Sequence, residues 1–409
     1  MSGQNVANCI AFLESGDIAV GDSEGAISVY SVSNDGEYFR TNVWEAHHRG
    51  VTCLLGLTEG TILSGGDKDR RIVAWDTNRN FDKIVEAELP STAGSARTLY
   101  PQWPGRNDGN IYVGTNKNMI LEGSLQRKFN MVVYGHTRQL SAVATHPDDV
   151  AFITAGYDKV VAKWRRSKLI WKLTVQTECL SVCYHPQGSV VAAGTADGHL
   201  IVLNADSGSH VTTIRVCGSA LNGVKFNPDG DIVAAASQNG SVYLYRASRD
   251  GFAYKKYGKM SGGGQLTELD WDETGDYIAT ASTDFQLGFW NTVTNKLEKV
   301  PNVCRNRVWT DVTASLGYFL SGMWNNHNYK NSDALVTTSH VSNDRSLLAA
   351  GNSHGYLRLF RYPCVSPKAE FYEEKPVSGS IDCVRFFFDD SYVVTVGGTD
   401  ASLFKWKMK

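Results

Sequence analysis

One phrase recurs along this chain, and it constrains the fold more than any other feature. Five segments carry it almost intact: SGGDKDRRIVAWD (64–76), TAGYDKVVAKW (154–164), AAGTADGHLIVLN (192–204), TASTDFQLGFWN (280–291) and VGGTDASLFKW (396–406). Each reads as a small-residue strand, a tight turn carrying Asp, and an alternating strand ending on a large apolar residue. Weaker copies end on Tyr30, Leu121, Tyr245 and Phe360. Together the end residues are Tyr30, Trp75, Leu121, Trp164, Leu203, Tyr245, Trp290, Phe360 and Trp406, spaced 39 to 46 residues apart apart from one step of 70. Six residues before them stand Glu24, Asp69, Thr115, Asp158, Asp197, Asn239, Asp284, His354 and Asp400. A period of about 40–45 residues with four strands per unit is the mark of propeller blades. The spacing therefore predicts an all-β propeller chain of about nine blades. With 39 Gly and 11% aromatic residues, the composition suits many tight turns and large core side chains.

Nine blades exceed the four to eight of a usual ring. The expected division is a seven-bladed ring over 91–409 and two blades over 1–90 left from a preceding, truncated propeller, with Pro90-Ser-Thr-Ala-Gly-Ser95 as the crossing point. The sequence stops three residues after Trp406, so the last blade is expected to lack its own outer strand. Lys83–Leu89 is the expected donor.

The phrase resembles the WD-repeat family. In that family a His opening the blade, a Ser or Thr on the second strand, the turn Asp and the third-strand Trp form a hydrogen-bonded chain. The resemblance implies two such structural sets here, His47, Ser64, Asp69 and Trp75, then His136, Thr154, Asp158 and Trp164. Asp197, Asp284 and Asp400 are the corresponding turn acids of other blades. Elsewhere the pattern is broken: Ser261-Gly-Gly-Gly264 stands where Gly-His is expected, and Leu203 or Phe360 replaces Trp. A Ser/His/Asp set invites a catalytic reading, but recurrence at blade spacing marks a structural device. A buried carboxylate is costly unless paired, and this network supplies its partners.

The remaining features narrow the function classes. A formal net charge of -2 gives no basic field for nucleic acid. The basic clusters Lys163, Arg165, Arg166, Lys168 and Lys405, Lys407, Lys409 read as solvated strand ends and turns. Among eight Cys there is no CxxC, and Cys9, Cys53, Cys183 and Cys383 fall inside apolar strands, which predicts reduced core thiols in a cytosolic setting. The ten His show no HExxH or paired Cys/His spacing, so no metal or other cofactor is expected. The run Ser261-Gly-Gly-Gly-Gln265 lacks the Lys-Ser/Thr of a phosphate cradle. No apolar run approaches the ~20 residues of a membrane span, and the first residues do not read as a signal peptide.

Within the 70-residue step lie Arg307-Val-Trp309, Leu316-Gly-Tyr318, Gly322-Met-Trp324 and then Leu357-Arg-Leu-Phe360-Arg-Tyr-Pro-Cys364. Together with Asn110-Ile-Tyr-Val-Gly-Thr-Asn-Lys117 and Gly135-His-Thr-Arg-Gln-Leu140, these make the whole chain similar to the C-terminal half of the echinoderm microtubule-associated-protein-like (EMAP-like) family. Asn325–Ser332 departs from that family's more acidic loop. The resemblance implies a tandem propeller pair preceded by a basic region and often a coiled coil, so the chain is expected to be a fragment, a short isoform or an incomplete gene product. It also implies a non-enzymatic scaffold of the cytoplasmic cytoskeleton whose blades bind tubulin or other proteins, with no small-molecule substrate. The alternative is a general WD-type adaptor in a signalling or ubiquitin-ligase assembly.

Overall fold

A computed structural model describes residues 5–101, 109–166, 168–324 and 334–408. The Asn325–Ser332 departure and Lys409 lie outside these residues. The described chain forms nine antiparallel sheets, eight of four strands and one of three, each pairing strands that are neighbours in sequence. We number these blades 1 to 9, spanning 7–45, 51–88, 96–133, 140–174, 179–215, 221–261, 266–297, 336–374 and 381–407.

Blade 5 shows why the phrase folds this way. Its second strand, Val190–Thr195, is buried at every position because both faces are covered by neighbouring blades. Near its end the approach is close enough to require glycine: a Cβ on Gly194 would lie 2.8 Å from Val224 Cγ2. The outer strand, His210–Arg215, is half open, so polar and apolar residues alternate on it. In all five strong copies the Asp falls in the turn between second and third strands, at Asp69, Asp158, Asp197, Asp284 and Asp400. Asp22 does the same work in blade 1, accepting the backbone N–H of Glu24, Gly25 and Ala26 at 2.9–3.0 Å. That turn needs glycine: Gly25 has φ +105, and a Cβ there would lie 2.1 Å from the His47 carbonyl oxygen.

The chain divides into two compact units, Met1–Thr137 and Arg138–Lys409. The first holds blades 1 to 3. Its blades are joined by side chains of the innermost strands, with Asn8 Nδ2 donating to the Val51 carbonyl at 3.2 Å and Thr52 Oγ1 to that of Ala96 at 2.6 Å.

The second unit closes on itself. Ser141 donates to the Cys179 carbonyl at 2.5 Å, Ser181 to Leu221 at 2.9 Å, and Asn222 to Leu266 at 2.8 Å. Thr337 donates to the Ile381 carbonyl. The circle is completed by Thr145 donating to Phe386 at 2.9 Å and Gln139 to Asp382 at 2.9 Å, over a shared core of Leu140, Val143, Phe152, Cys383, Phe387, Val394 and Val396.

Between blades 7 and 8 the place of a further blade is taken by an irregular segment, which accounts for the 70-residue step. Thr313 Oγ1 donates back to Leu269 at 3.2 Å, and Ser339 Oγ of blade 8 donates to Val312 at 2.8 Å, so residues 312–313 stand where an inner strand would. Two buried acids of blade 7 hold the segment. Asp270 accepts Thr313 Oγ1 at 2.9 Å and the Ala314 N–H at 2.8 Å, while Asp272 pairs with Arg307 at 2.5 Å. Phe289 stacks on Trp309 at 5.6 Å and on Tyr318 at 6.4 Å.

Three expectations change. The compact units meet at 137/138 and not at 90/91, because blade 3 belongs to the first unit and the irregular segment, which carries no repeat phrase, fills the seventh place of the ring. Lys83–Leu89 is not a donated strand: Asp82–Glu88 is the outer strand of blade 2, paired with Arg71–Asp76. Blade 9 accordingly shows three strands among the described residues. Lys163 is not solvated, being 7% exposed and donating to the Ala205 carbonyl at 2.9 Å, because its stem lies between blades 4 and 5.

Candidate functional site

The structure brings the four-residue set of blade 2 together completely. Trp75 Nε1 donates to Ser64 Oγ at 2.8 Å, Ser64 Oγ lies 2.9 Å from His47 Nε2, and His47 Nδ1 lies 2.7 Å from Asp69 Oδ2. An indole only donates, so the Ser64 hydroxyl accepts there and gives its own proton to Nε2. His47 then carries its proton on Nδ1 and donates to Asp69. Burial alone would raise the Asp69 carboxyl, but the hydrogen bond and charge of His47, together with the N–H and charge of Arg71, outweigh it and hold the group below the usual carboxylate range. The chain ends inside the protein: His47 is 6% and Ser64 0% exposed, which leaves no room for a substrate at the hydroxyl. In the second set Trp164 donates to Thr154 at 2.8 Å and Asp158 accepts the Val160 N–H at 3.1 Å, while His136 is buried.

The other turn acids find different partners where the opening His is missing. Asp197 accepts Thr195 Oγ1 at 2.6 Å and Thr177 Oγ1 at 3.0 Å, with His199 Nδ1 3.0 Å away; these outweigh desolvation and bring its carboxyl down to about 2. Asp284 accepts the Ser282 hydroxyl. Gly264 sits against it, where a Cβ would come 2.7 Å from Asp284 Oδ1. Asp400 accepts Ser402 Oγ at 2.7 Å and the Ser378 N–H at 3.3 Å. The Trp–Thr link itself persists, at 2.8 Å for Trp290–Thr280 and 3.0 Å for Trp406–Thr395.

A second constellation, unseen in the sequence, lines the axis of the second unit. The innermost strands enclose a cavity of about 350 Å³ whose wall includes Lys225, Glu268, Asp311, His340 and Arg385. Lys225 Nζ bridges Asp270 at 2.5 Å and Asp311 at 2.7 Å, and these carboxylates overcome burial to hold the ammonium above its ordinary value. The Asp311 side chain is 43% exposed although it lies inside the ring, because the cavity itself admits solvent. Burial and the Arg385 charge push His340 down to about 3, and its Nδ1 accepts the Phe386 N–H at 3.3 Å, leaving the proton on Nε2. Glu268 is pushed up to about 8 by burial, and its Oε2 is buried with no hydrogen-bond partner. Arg385 donates to the Val384 carbonyl at 2.6 Å, and no carboxylate lies within 4 Å of it among the described residues. These residues escape a sequence reading because Lys225, Glu268, His340 and Arg385 each occupy an ordinary polar position of an inner strand and Asp311 lies in the irregular segment, which carries no repeat phrase.

All eight Cys are free, six of them buried, and burial raises Cys53, Cys179 and Cys183 to about 12. Among the described residues no group of three or more His, Cys, Asp or Glu is placed to hold a metal ion, and no helix is long and apolar enough to cross a membrane.

Comparison with known proteins adds an independent line. The family model described as the echinoderm microtubule-associated protein second beta-propeller matches residues 140–408, which is the second unit almost to the residue. Echinoderm microtubule-associated protein-like 2 of Rattus norvegicus is 34% identical over 403 residues, covering 98% of this chain and 60% of the relative. The same-named protein of Homo sapiens gives the same identity and coverage. The 77 kDa echinoderm microtubule-associated protein of Strongylocentrotus purpuratus is 32% identical over 404 residues, covering 98% of this chain and 57% of the relative. The chain thus spans about three-fifths of the length of these relatives.

Proposed function

The chain belongs to the echinoderm microtubule-associated-protein-like family, and from that premise we propose that it is a non-catalytic cytoskeletal scaffold whose blades bind tubulin. The observation that carries this reading is the relatedness of nearly the whole chain to proteins named for their association with microtubules. The His-Ser-Asp-Trp set supports the non-catalytic part, since its hydroxyl is sealed in the core and its carboxylate closes a turn. Propeller blades present rigid loops at both ends of each sheet, a suitable platform for protein partners. On this reading the protein resides in the cytoplasm on microtubules and needs no cofactor.

The test is capture. The purified chain is mixed with soluble tubulin and pulled down, and in parallel is pelleted with assembled microtubules. Retention of tubulin in saturable proportion is expected. Failure to retain either form, with a folded protein by circular dichroism, would remove tubulin as the partner and favour an adaptor of other proteins.

A further inference from the structure

We propose that the axial cavity of the 138–409 ring is a binding site for a small oxyanion, a carboxylate or phosphate group held by the Arg385 guanidinium with help from His340 and Glu268. The proposal does not rest on tubulin binding. Its size is right: about 350 Å³ lies at the lower end of the range of small-molecule pockets.

Unused donors, and not the overall charge of the wall, decide the ligand class. Lys225 is already engaged by Asp270 and Asp311, a trio of net charge −1, so it offers an anion nothing. Among the described residues, the one acceptor within hydrogen-bond distance of Arg385 is a backbone carbonyl, yet a guanidinium carries five donors in a fork that matches two oxygens of one anion. His340, with its ring proton on Nε2, is a second donor in the same wall. Glu268 is the third, since its carboxyl keeps its proton at neutral pH and its buried Oε2 has no partner. Three donor groups with unused capacity around one cavity would each gain a hydrogen bond from an oxyanion, and a buried polar atom without one is costly. The inner strands provide these groups from three different places, Leu266–Trp271, Val336–Val341 and Ile381–Phe386.

Glu268 makes the site sensitive to pH. The charged or titratable groups around it are Lys225, Asp270, Asp311, His340, Arg385 and the thiols of Cys183 and Cys383, with Asp382, His146 and His185 farther along the wall. Below about pH 8 its neutral carboxyl donates to the anion; above, its carboxylate repels it. Affinity is therefore highest at neutral and mildly acidic pH and falls as pH rises through Glu268's value.

The experiment is calorimetric titration of the full chain with succinate and with inorganic phosphate at constant ionic strength, chloride being the control. Saturable binding of either anion at pH 6.5 is expected, and which one binds identifies the source chemistry. Arg385→Gln should weaken binding about tenfold or more, the loss of one charged bidentate contact. Between pH 6.5 and 9, succinate affinity should fall about tenfold in the wild type and stay level in Glu268→Gln, which keeps the shape and cannot ionise. Should Arg385→Gln fail to fold, the pH comparison decides alone. No saturable heat with either anion, wild-type affinity in a folded Arg385→Gln, or a wild-type affinity independent of pH would overturn the proposal.

Discussion

At the scale of single residues, the turn acids carry the fold's polar economy. Asp69 ends a relay that begins at the Trp75 indole, and every member has its partner within 2.9 Å. Asp69→Ala would leave the buried His47 donor without an acceptor, at a cost on the order of 1–3 kcal/mol. Chemical denaturation should show that loss as a lower midpoint with an unchanged slope. The pH dependence has a definite sign. The Asp69 carboxyl is depressed in the folded protein, so its contribution is fully present above the ordinary carboxylate value and disappears as pH falls through the depressed one. Asp69→Asn should therefore flatten the acid limb of the stability profile. Glu268 works in the opposite direction, since its folded value lies above its free one: stability falls as pH rises from the ordinary carboxylate range to about 8, and Glu268→Gln should remove that slope.

At the scale of elements, the blades were legible in the sequence and the joints between them were not. Second strands that carry large apolar residues in their first half and close on Ala, Gly, Ser or Thr before a turn Asp leave one reading, because they pack on both faces and narrow toward the turn. The stitches made by Asn8, Thr52, Ser141, Ser181, Asn222 and Thr337 escaped notice, since a polar residue near the start of a strand looks like ordinary alternation. The irregular segment escaped for a different reason. It has no strand period at all, and what places it is a pair of acids, Asp270 and Asp272, that belong to the preceding blade. Asp272→Ala removes the partner of Arg307 and the acceptor of the Tyr277 N–H, a loss on the order of 2–3 kcal/mol. Limited proteolysis should then open the 298–324 stretch before any blade, while a cleavage pattern like the wild type's would show that the aromatic stack on Phe289 holds the segment unaided.

At the scale of the whole molecule, counting repeat phrases backwards from Trp406 takes in blade 3 and misses the silent seventh place, which is why the boundary reads as 90/91 in the sequence and falls at 137/138 in the structure. The first unit leaves large apolar side chains in the open, with Ile10 62% and Phe12 70% exposed on the innermost strand of blade 1. Exposed apolar strands promote association. Light scattering should rise with concentration for the full chain and much less for a double Ile10→Ser, Phe12→Ser variant. The functional claim is tested most directly by titrating labelled soluble tubulin with the full chain and with a folded Ser64→Ala variant. Saturable binding of equal affinity per folded molecule in both is predicted, because blade surfaces bind and the buried relay only supports them. Absence of saturable binding in the wild type would contradict the scaffold reading, and loss of binding in a Ser64→Ala protein of unchanged melting temperature would make the relay a functional site instead.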